Sequence, residues 1–261
     1  MLITMPSRLY KYKELFFIFV WREFTVRYRQ SLIGALWAIL QPLSMMALFT
    51  FIFSYVMKVK MASYSPVLFF YAGLMPWIFF SSSLNYSIPS LTNHYQLITK
   101  IYFPREILPL SGITVAFVDY LIASTIFIFF LIIYKVHITW NILWVVPLFM
   151  LLFFFTVAVS IFLAGLNVYY RDVRLATGFL IQLWFFATPV MYTIDNVPIN
   201  MKLLLFLNPL TFIVENMRRC IVEGRAVVGW QFVLVLIIIS VFVFFCYRFF
   251  IKIERAFADV I

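Results

Sequence analysis

Six apolar runs, each about as long as a bilayer-crossing helix, constrain this chain more than any other feature. They cover approximately residues 34–57, 66–89, 107–134, 142–168, 174–193 and 229–250. A helix needs about 20 apolar residues to cross a bilayer, and in lipid it satisfies its own backbone hydrogen bonds. Only 11% of the 261 residues are charged, too few for the surface of a soluble domain. The sequence predicts an all-α polytopic membrane protein with six transmembrane helices in a single domain, 1–261.

The distribution of Lys and Arg predicts the orientation of these helices. The chain has 20 Lys and Arg against 10 Asp and Glu, and the basic residues cluster between the apolar runs. With both termini in the cytoplasm, thirteen basic residues lie inside and seven outside, which is the usual bias of membrane proteins. We therefore expect cytoplasmic termini, contact with membrane lipids rather than nucleic acid, and no cleaved signal peptide.

The segment 7–30, before the first span, has a helical apolar pattern but is too short to cross the membrane. Charged residues separate apolar positions that recur at three- or four-residue steps, namely Leu9, Tyr12, Phe16, Phe19, Val20, Phe24 and Tyr28. This pattern predicts an amphipathic helix in the cytoplasmic interface. A simple membrane-surface anchor is the alternative.

Two other segments also carry helical signals without spanning. In the loop 91–106 we expect a short cytoplasmic helix at about 91–101, ended by Pro104. A plain connection would need fewer residues, which suggests a surface for a partner. In the outward segment 194–228, Asn208-Pro209 separates two short apolar stretches, 201–207 and 210–214. They predict a re-entrant helix pair, with a pair of surface helices as the alternative.

The chemistry expected of an enzyme is missing from the sequence. There is neither a GxxxxGK[ST] phosphate loop nor a GxGxxG motif. His94 and His137 are predicted on opposite sides of the membrane, so they cannot share a metal. Cys220 and Cys246 lie in different kinds of segment, and we expect no disulfide. We therefore predict no catalytic residues, no metal site and no cofactor in this chain.

Asp119 is the one acidic residue inside a predicted span. A charge near the middle of a transmembrane helix costs about 2.5–3.5 kcal/mol on insertion scales, so the side chain should face the helix bundle or water. We expect a structural hydrogen-bonding contact, with a gating contact as the alternative. The sequence offers no second ionisable group at similar depth, which argues against a proton relay.

Two helical stripes combine amides with aromatic rings. In the first span the stripe is Trp37, Gln41, Ser44, Leu48, Phe51 and Tyr55, and in the fifth it is Gly178, Gln182, Phe185, Pro189 and Tyr192. Aromatic faces stack on the apolar faces of sugars, and amides bond their hydroxyls. The candidate substrate-path residues are Trp37, Gln41, Phe51, Tyr55, Gln182, Phe185 and Tyr192. Ordinary helix packing is the alternative.

Four stretches resemble one family of transporters. They are SLIGALWAILQPL (31–43) after WREFTVRYRQ, LITKIYFPREILPL (97–110), YYRDVR (169–174) and LNPLTFIVENMRRCIVEG (207–224). In this order they resemble permease subunits of ABC-2 type polysaccharide exporters, which include the O-antigen, capsule and teichoic acid exporters.

The resemblance implies a homodimer in the plasma membrane (the bacterial inner membrane) that works with two copies of a cytoplasmic ATPase, which hold ATP and Mg. The cargo would be a polyprenyl-diphosphate-linked polysaccharide, moved from the cytoplasmic to the outer side. The region 91–104 would be the coupling helix, and 194–228, with Asn208 and Pro209, the outward gate. Arg27 and Arg29 would contact the diphosphate, or else only set the topology. The implied ATPase contacts are Asn93, His94, Tyr95, Gln96, Leu97, Lys100, Tyr102, Phe103 and Arg105.

Three other classes compete with this interpretation. An ABC-2 exporter of drugs, lipids or small molecules would share the same topology. A membrane-embedded transferase would need clustered acids or histidines, whereas Glu106 and Asp172 stand beside basic residues and are better explained as loop-end ion pairs. An ion channel would need a ring of like charges or a carbonyl filter, and neither is visible in the sequence.

Overall fold

The computed structural model describes residues 10–29, 31–58, 65–194, 197–254 and 257, and among these it contains helices and no strands. The all-α prediction is confirmed. The α-helices in chain order are α1 (Lys13–Tyr28), α2 (Trp37–Thr50), α3 (Pro66–Ser87), α4 (Ser90–Asn93), α5 (Tyr95–Lys100), α6 (Ile107–Ile133), α7 (Val145–Tyr169), α8 (Asp172–Phe186), α9 (Ile199–Phe206), α10 (Pro209–Arg218) and α11 (Gly229–Glu254). Short 3-10 turns precede α2 and α7, and wide π-turns extend α2 to Val56 and α10 to Glu223.

Five of the helical segments are long and apolar enough to cross a membrane. They are Gly34–Val56, Pro66–Asn93, Ile107–Ile133, Trp140–Tyr169 and Gly229–Glu254. The predicted fifth span, 174–193, corresponds to α8, which has 15 residues. At 1.5 Å per residue, α8 is only about 22 Å long, shorter than the hydrocarbon core. Five of the six predicted spans thus have helices of spanning length, and a sixth crossing stays a prediction.

The helix α8 ends early because the chain turns immediately after it. Thr188 donates its hydroxyl to the Trp184 carbonyl, and the Val190 amide donates to the Thr188 carbonyl over 2.7 Å. Pro189 between them has no amide hydrogen with which to continue a helix. The apolar run continues beyond Phe186, but its backbone is no longer helical there.

The centre of the bundle is α3, which packs against α2, α6, α7 and α10. Its residues from Leu68 to Trp77 are all buried. A helix that is apolar around its whole circumference belongs in the interior of a bundle. The helix α6 crosses α3 closely at Gly112, where an added Cβ would lie 3.1 Å from the Cβ of Tyr86. The core therefore forms around α3, and the other helices surround it.

The predicted interface helix 7–30 is present as α1, and it packs on the protein. Phe19, a member of the predicted apolar stripe, is buried. Its ring centroid lies 5.9 Å from that of Phe103. Away from Phe19, the side of α1 that carries Phe17, Ile18 and Trp21 is also apolar, and these three side chains are exposed. Leu9 and Gln30 lie outside the described residues. The helix is thus apolar on two faces, one toward the bundle and one away from it.

The two other non-spanning segments fold as pairs of short helices. The predicted helix at 91–101 is divided into α4 and α5, which meet at His94, and a break at Ile101–Pro104 precedes α6. The predicted pair of short helices in 194–228 is present as α9 and α10, joined at Asn208-Pro209, and its outward placement stays a prediction. Residues 195 and 196 of this segment lie outside the described ranges. The entry of this pair into the outer leaflet stays a prediction.

Candidate functional site: coupling loop, intramembrane ion pair and outward gate

The loop between α3 and α6 has both exposed side chains and buried side chains that fix it to the bundle. Of the predicted ATPase-contact residues, the exposed ones are Asn93, Tyr95, Gln96, Lys100 and Tyr102. Leu97 and Arg105 are half-buried, whereas His94 and Phe103 are buried. The exposed members form a surface that a partner can reach, and the buried members hold that surface in place.

His94 connects this loop to α1. Its Nδ1 donates to the carbonyl of Ser90 over 2.8 Å, and its Nε2 lies 3.4 Å from Oε1 of Glu23 on α1. The Phe19 ring packs edge-on against the imidazole at 5.7 Å between centroids. The interface helix and the loop between α3 and α6 are therefore joined by both a polar contact and an aromatic contact.

Arg105 connects the same loop to the end of the last helix. Its backbone amide donates to Oε1 of Glu254 over 3.1 Å, and its Nη1 donates to the Glu254 carbonyl over 2.7 Å. A cation next to the last carbonyls of a helix is favourable because it satisfies them and complements the helix dipole. Glu106 beside it is fully buried, with the Tyr247 hydroxyl 3.5 Å from its Oε1.

Asp119 on α6 forms an ion pair with Arg27 of α1. Arg27 donates from Nη1 to one carboxylate oxygen, and Tyr28 donates its hydroxyl to the other over 2.5 Å. Asp119 is 8% exposed, which confirms that it faces the bundle. The prediction that no ionisable group lies near it was wrong. Arg27 lies 92 residues away in the chain, and the sequence pattern placed it on a surface helix.

Aromatic rings complete the surroundings of this pair. The Arg27 guanidinium lies 4.4 Å from the Tyr86 ring centroid and 5.1 Å from that of Tyr28, within cation–π range. Burial, followed by the hydrogen bond to Asp119, raises the pKa of the Tyr28 phenol above its ordinary value. Tyr28 is therefore a neutral donor that keeps its proton at physiological pH.

A small cleft opens beside the ion pair. Its polar lining is Arg27, Gln41, Ser82 and Asp119, and its volume of about 20 Å³ is enough for a water molecule. Gln41 also belongs to the first-span stripe, so the cleft connects the ion pair to that face of α2. Arg29, the other predicted diphosphate contact, is exposed at the end of α1.

The first-span stripe forms one open face of α2 and its extension. All six of its members are exposed: Trp37, Gln41, Ser44, Leu48, Phe51 and Tyr55. None of the helices among the described residues covers this face. The aromatic rings and the Gln41 amide are therefore available to a ligand, to a second copy of the chain or to lipid.

Only the first half of the stripe predicted on the fifth span lies on an exposed helical face, and its role in a substrate path stays a prediction. Gly178 and Gln182 are exposed on α8, but Phe185 packs inward, 5.3 Å from Trp77 between ring centroids. Pro189 and Tyr192 are not on a helix, because α8 ends at Phe186. Tyr192 instead donates its hydroxyl to the Phe186 carbonyl over 3.1 Å. The predicted helical spacing does not extend across the turn.

Asn208 joins the outward helix pair to the end of α8. Its Oδ1 accepts from the Leu210 amide and from the Trp184 indole, both over 3.1 Å, and its Nδ2 donates to the Thr188 hydroxyl over 3.0 Å. Asn is a preferred N-cap, and Pro209 occupies the first helical turn, where its missing amide hydrogen costs nothing. One side chain thus caps α10 and connects it to α8.

Arg218, at the end of α10, is a central residue that the sequence analysis missed. It was counted among the outward topology-setting charges, yet it is 1% exposed. Its Nη2 donates to the Pro189 carbonyl over 2.7 Å, and its Nη1 lies 3.2 Å from Glu215. Its guanidinium lies 3.8 Å from the Phe69 ring centroid. The one signal in the sequence for a buried ion pair was Glu215, an acid three residues before Arg218.

Gly73 on α3 makes room for this arginine. A Cβ at Gly73 would lie 2.6 Å from Nη2 of Arg218 and 3.0 Å from the Val190 carbonyl oxygen. Any larger residue would therefore displace the guanidinium. The turn after α8, the helix α10 and the central helix α3 all meet at Arg218.

We expect Asn208→Ala to destabilise the chain by about 1–2 kcal/mol, because it removes the N-cap of α10 and its bonds to α8. Thermal unfolding of the purified chain in detergent measures this cost. Asn200→Ala on the exposed face of α9 is the matched control and should leave the midpoint unchanged. Equal midpoints for the two variants would contradict the connecting role of Asn208.

The described residues contain no group of three His, Cys, Asp or Glu side chains that could hold a metal ion. Cys220 and Cys246 are both buried free thiols. Burial raises the pKa of the Cys220 thiol, outside the spans, to about 11, so that it stays protonated at neutral pH.

Comparisons with known proteins match most of the chain. A family model described as ABC-2 type transporter matches residues 14–222. An O-antigen export system permease protein RfbA from Klebsiella pneumoniae is 32% identical over 218 residues, 83% of each chain. RfbA from Myxococcus xanthus is 30% identical over 86% of each chain. The polysialic acid transport protein KpsM from Escherichia coli is 25% identical over 78% of this chain and 79% of its own.

Proposed function

Because the chain belongs to the ABC-2 type transporter family, we propose that it is the membrane subunit of an exporter for a polyprenyl-diphosphate-linked polysaccharide. The cargo would move from the cytoplasmic to the outer side of the plasma membrane, which is the inner membrane of a two-membrane bacterium. The names of two relatives that are 30–32% identical over more than four fifths of the chain support this cargo class.

The observation that carries the proposal is the open face of α2. It combines Trp37, Gln41, Phe51 and Tyr55 along α2 and its extension, and no other described part of the chain covers these side chains. Aromatic rings and amides together suit a sugar chain, which offers alternating apolar and hydroxyl surfaces. A second copy of the chain, placed with its own α2 face opposite, would enclose a path of this character. We therefore propose a homodimer with the path between the two subunits.

The energy source belongs to another polypeptide. The sequence has no phosphate-binding loop, so ATP and Mg would be held by two copies of a separate cytoplasmic ATPase. The exposed loop side chains Tyr95, Gln96 and Tyr102 are the surface proposed to seat it. Both termini would lie on the same cytoplasmic side, as the Lys and Arg bias supports.

Arg27 and Arg29 are the proposed contacts for the diphosphate headgroup. Both lie at the end of α1 next to the start of the α2 face. Arginine suits this role because its planar guanidinium bonds phosphate oxygens in pairs. Arg29 is exposed, whereas Arg27 is partly covered and paired to Asp119.

Reconstitution with the ATPase tests this function. We expect the chain to co-purify with an ATPase from the same cell, and the complex in lipid nanodiscs to hydrolyse ATP several-fold faster when a polyprenyl-diphosphate-linked glycan is added. A panel of hydrophobic drugs and of phospholipids serves as the control. Stimulation by a drug or phospholipid, without stimulation by the glycan, would replace the polysaccharide with a small-molecule cargo.

A further inference from the structure

The arginine expected to bind the diphosphate already has a carboxylate partner. Arg27 donates to Asp119 through Nη1, and Tyr28 holds the other carboxylate oxygen over 2.5 Å. Both members are largely covered, with side-chain exposures of 18% for Arg27 and 10% for Asp119. A phosphate group that approaches Arg27 therefore meets a cation that is already neutralised.

Arg27 has further donors besides the one that bonds Asp119, and the side chain lines the neighbouring cleft. A guanidinium carries five N–H donors, and the bond to Asp119 is made through Nη1. The cleft beside the pair is lined by Arg27 and Asp119 together with Gln41, which also belongs to the open α2 face. The cleft is wide enough for about one water molecule, so an anionic group on that face would have to widen it to reach the arginine.

The two anions would then compete for one cation. A diphosphate carries more negative charge than a carboxylate, and bidentate arginine–phosphate pairs are among the strongest hydrogen bonds in proteins. In a poorly solvated cleft, an arginine without a counter-ion would hold the headgroup for a long time, because little water screens the attraction. Asp119 reduces that attraction and is positioned to take the arginine back when the headgroup leaves.

We propose that Asp119 is a positioning residue for substrate release, one that competes with the diphosphate for Arg27 and so allows the headgroup to leave. This role rests on the proposed function. Tyr28 holds the carboxylate in place, since its hydroxyl bond to Asp119 does not depend on where the Arg27 side chain points. A purely structural Asp119 would only anchor α1 to α6, and its loss would lower stability without raising the affinity for the diphosphate.

The test uses the complex with its ATPase in nanodiscs, titrated with polyprenyl diphosphate, with polyprenyl monophosphate as the comparison. Asp119→Asn should lower the diphosphate concentration for half-maximal ATPase stimulation about tenfold, the effect of losing one competing charge-assisted hydrogen bond. Glycan export at saturation should fall, because release becomes slower. Asp119→Glu, which keeps the carboxylate, should restore both values toward those of the wild type.

Two further variants keep the result decisive. Tyr28→Phe retains both charges but frees the Asp119 carboxylate, which then competes less well, so the half-maximal concentration should fall by a smaller factor. This variant decides the matter if Asp119→Asn does not fold. In the double variant Arg27→Ala with Asp119→Asn, the drop should disappear, because no arginine remains to be released.

The outcomes distinguish a failure of the release role of Asp119 from a failure of the proposed export function. If Arg27→Ala with Arg29→Ala weakens the response to polyprenyl diphosphate while Asp119→Asn and Tyr28→Phe do not strengthen it, the headgroup contact stands and the release role is overturned. If the diphosphate fails to stimulate the wild-type complex, the proposed cargo fails and the release role fails with it.

Discussion

Replacing Arg218 by alanine should destabilise the chain by about 3–5 kcal/mol, the usual cost of breaking a buried ion pair. The guanidinium is 1% exposed and holds the Pro189 carbonyl on one side and Glu215 on the other. Without it, buried acceptors at the turn after α8 lose their donor, and the cation–π contact with Phe69 is lost as well. We expect α10 to separate from the turn after α8 and the protein to be recovered in low yield.

The same segment supplies a matched control. Arg225 also pairs with an acid, Glu223 at 3.4 Å, but its side chain is 69% exposed. Exposed pairs contribute little, so Arg225→Ala should change the unfolding free energy by no more than about 0.5 kcal/mol. Thermal unfolding in detergent compares the two variants. Similar midpoints for both would mean that Arg218 does not hold the outward gate together.

Local chemistry made several parts of the fold predictable. The break at Asn208-Pro209 follows from a proline that begins a helix and an asparagine that caps it, and both are properties of two adjacent residues. The break before α6 follows in the same way from Pro104. The long spans follow from composition over twenty or more residues. In each case the signal lies entirely within the segment that it specifies.

The helix end at Phe186 shows where composition alone is insufficient. The apolar run 174–193 is long enough to span, and hydropathy does not register where the backbone hydrogen bonds stop. Pro189 indicated a possible helix end, but an interior proline is tolerated in membrane helices when neighbours satisfy the freed backbone groups. The turn at Thr188–Val190 depends on Arg218 and Asn208, which come from a later segment. The stripe that extended to Tyr192 was wrong for this reason.

The two ion pairs at the functional site were unpredictable for a related reason. Periodicity identified the buried face of α1 but not the element against which it packs. Arg27 was assigned to a membrane surface, whereas Asp119 was assigned to the interior, and nothing in either local pattern joins them. Arg218 likewise resembles an ordinary topology-setting charge until Gly73 and the turn after α8 are seen around it. Long-range pairing of rare charges needs the packed bundle.

The second large expected effect is on binding of the ATPase subunit, and it concerns Tyr102 in the proposed coupling loop. Tyr102 is 84% exposed at the break between α5 and α6, and the next residue, Phe103, is buried against Phe19 of α1. The tyrosine is therefore presented by a fixed backbone, and little conformational freedom remains to be lost on binding. Exposed tyrosines of this kind are typical anchors at protein interfaces, where their truncation costs about 2 kcal/mol or more.

We expect Tyr102→Ala to weaken binding of the ATPase subunit by about 30-fold, which corresponds to that loss. Titration of the purified ATPase onto the chain in nanodiscs measures the affinity. Tyr170→Ala is the control, because Tyr170 is 67% exposed at the end of α7, at a predicted cytoplasmic connection outside the coupling loop, and should leave binding unchanged. Both variants should unfold at the wild-type temperature, since neither ring supports the core. Equal loss of binding in the two variants would move the ATPase away from the coupling loop to a broader cytoplasmic surface.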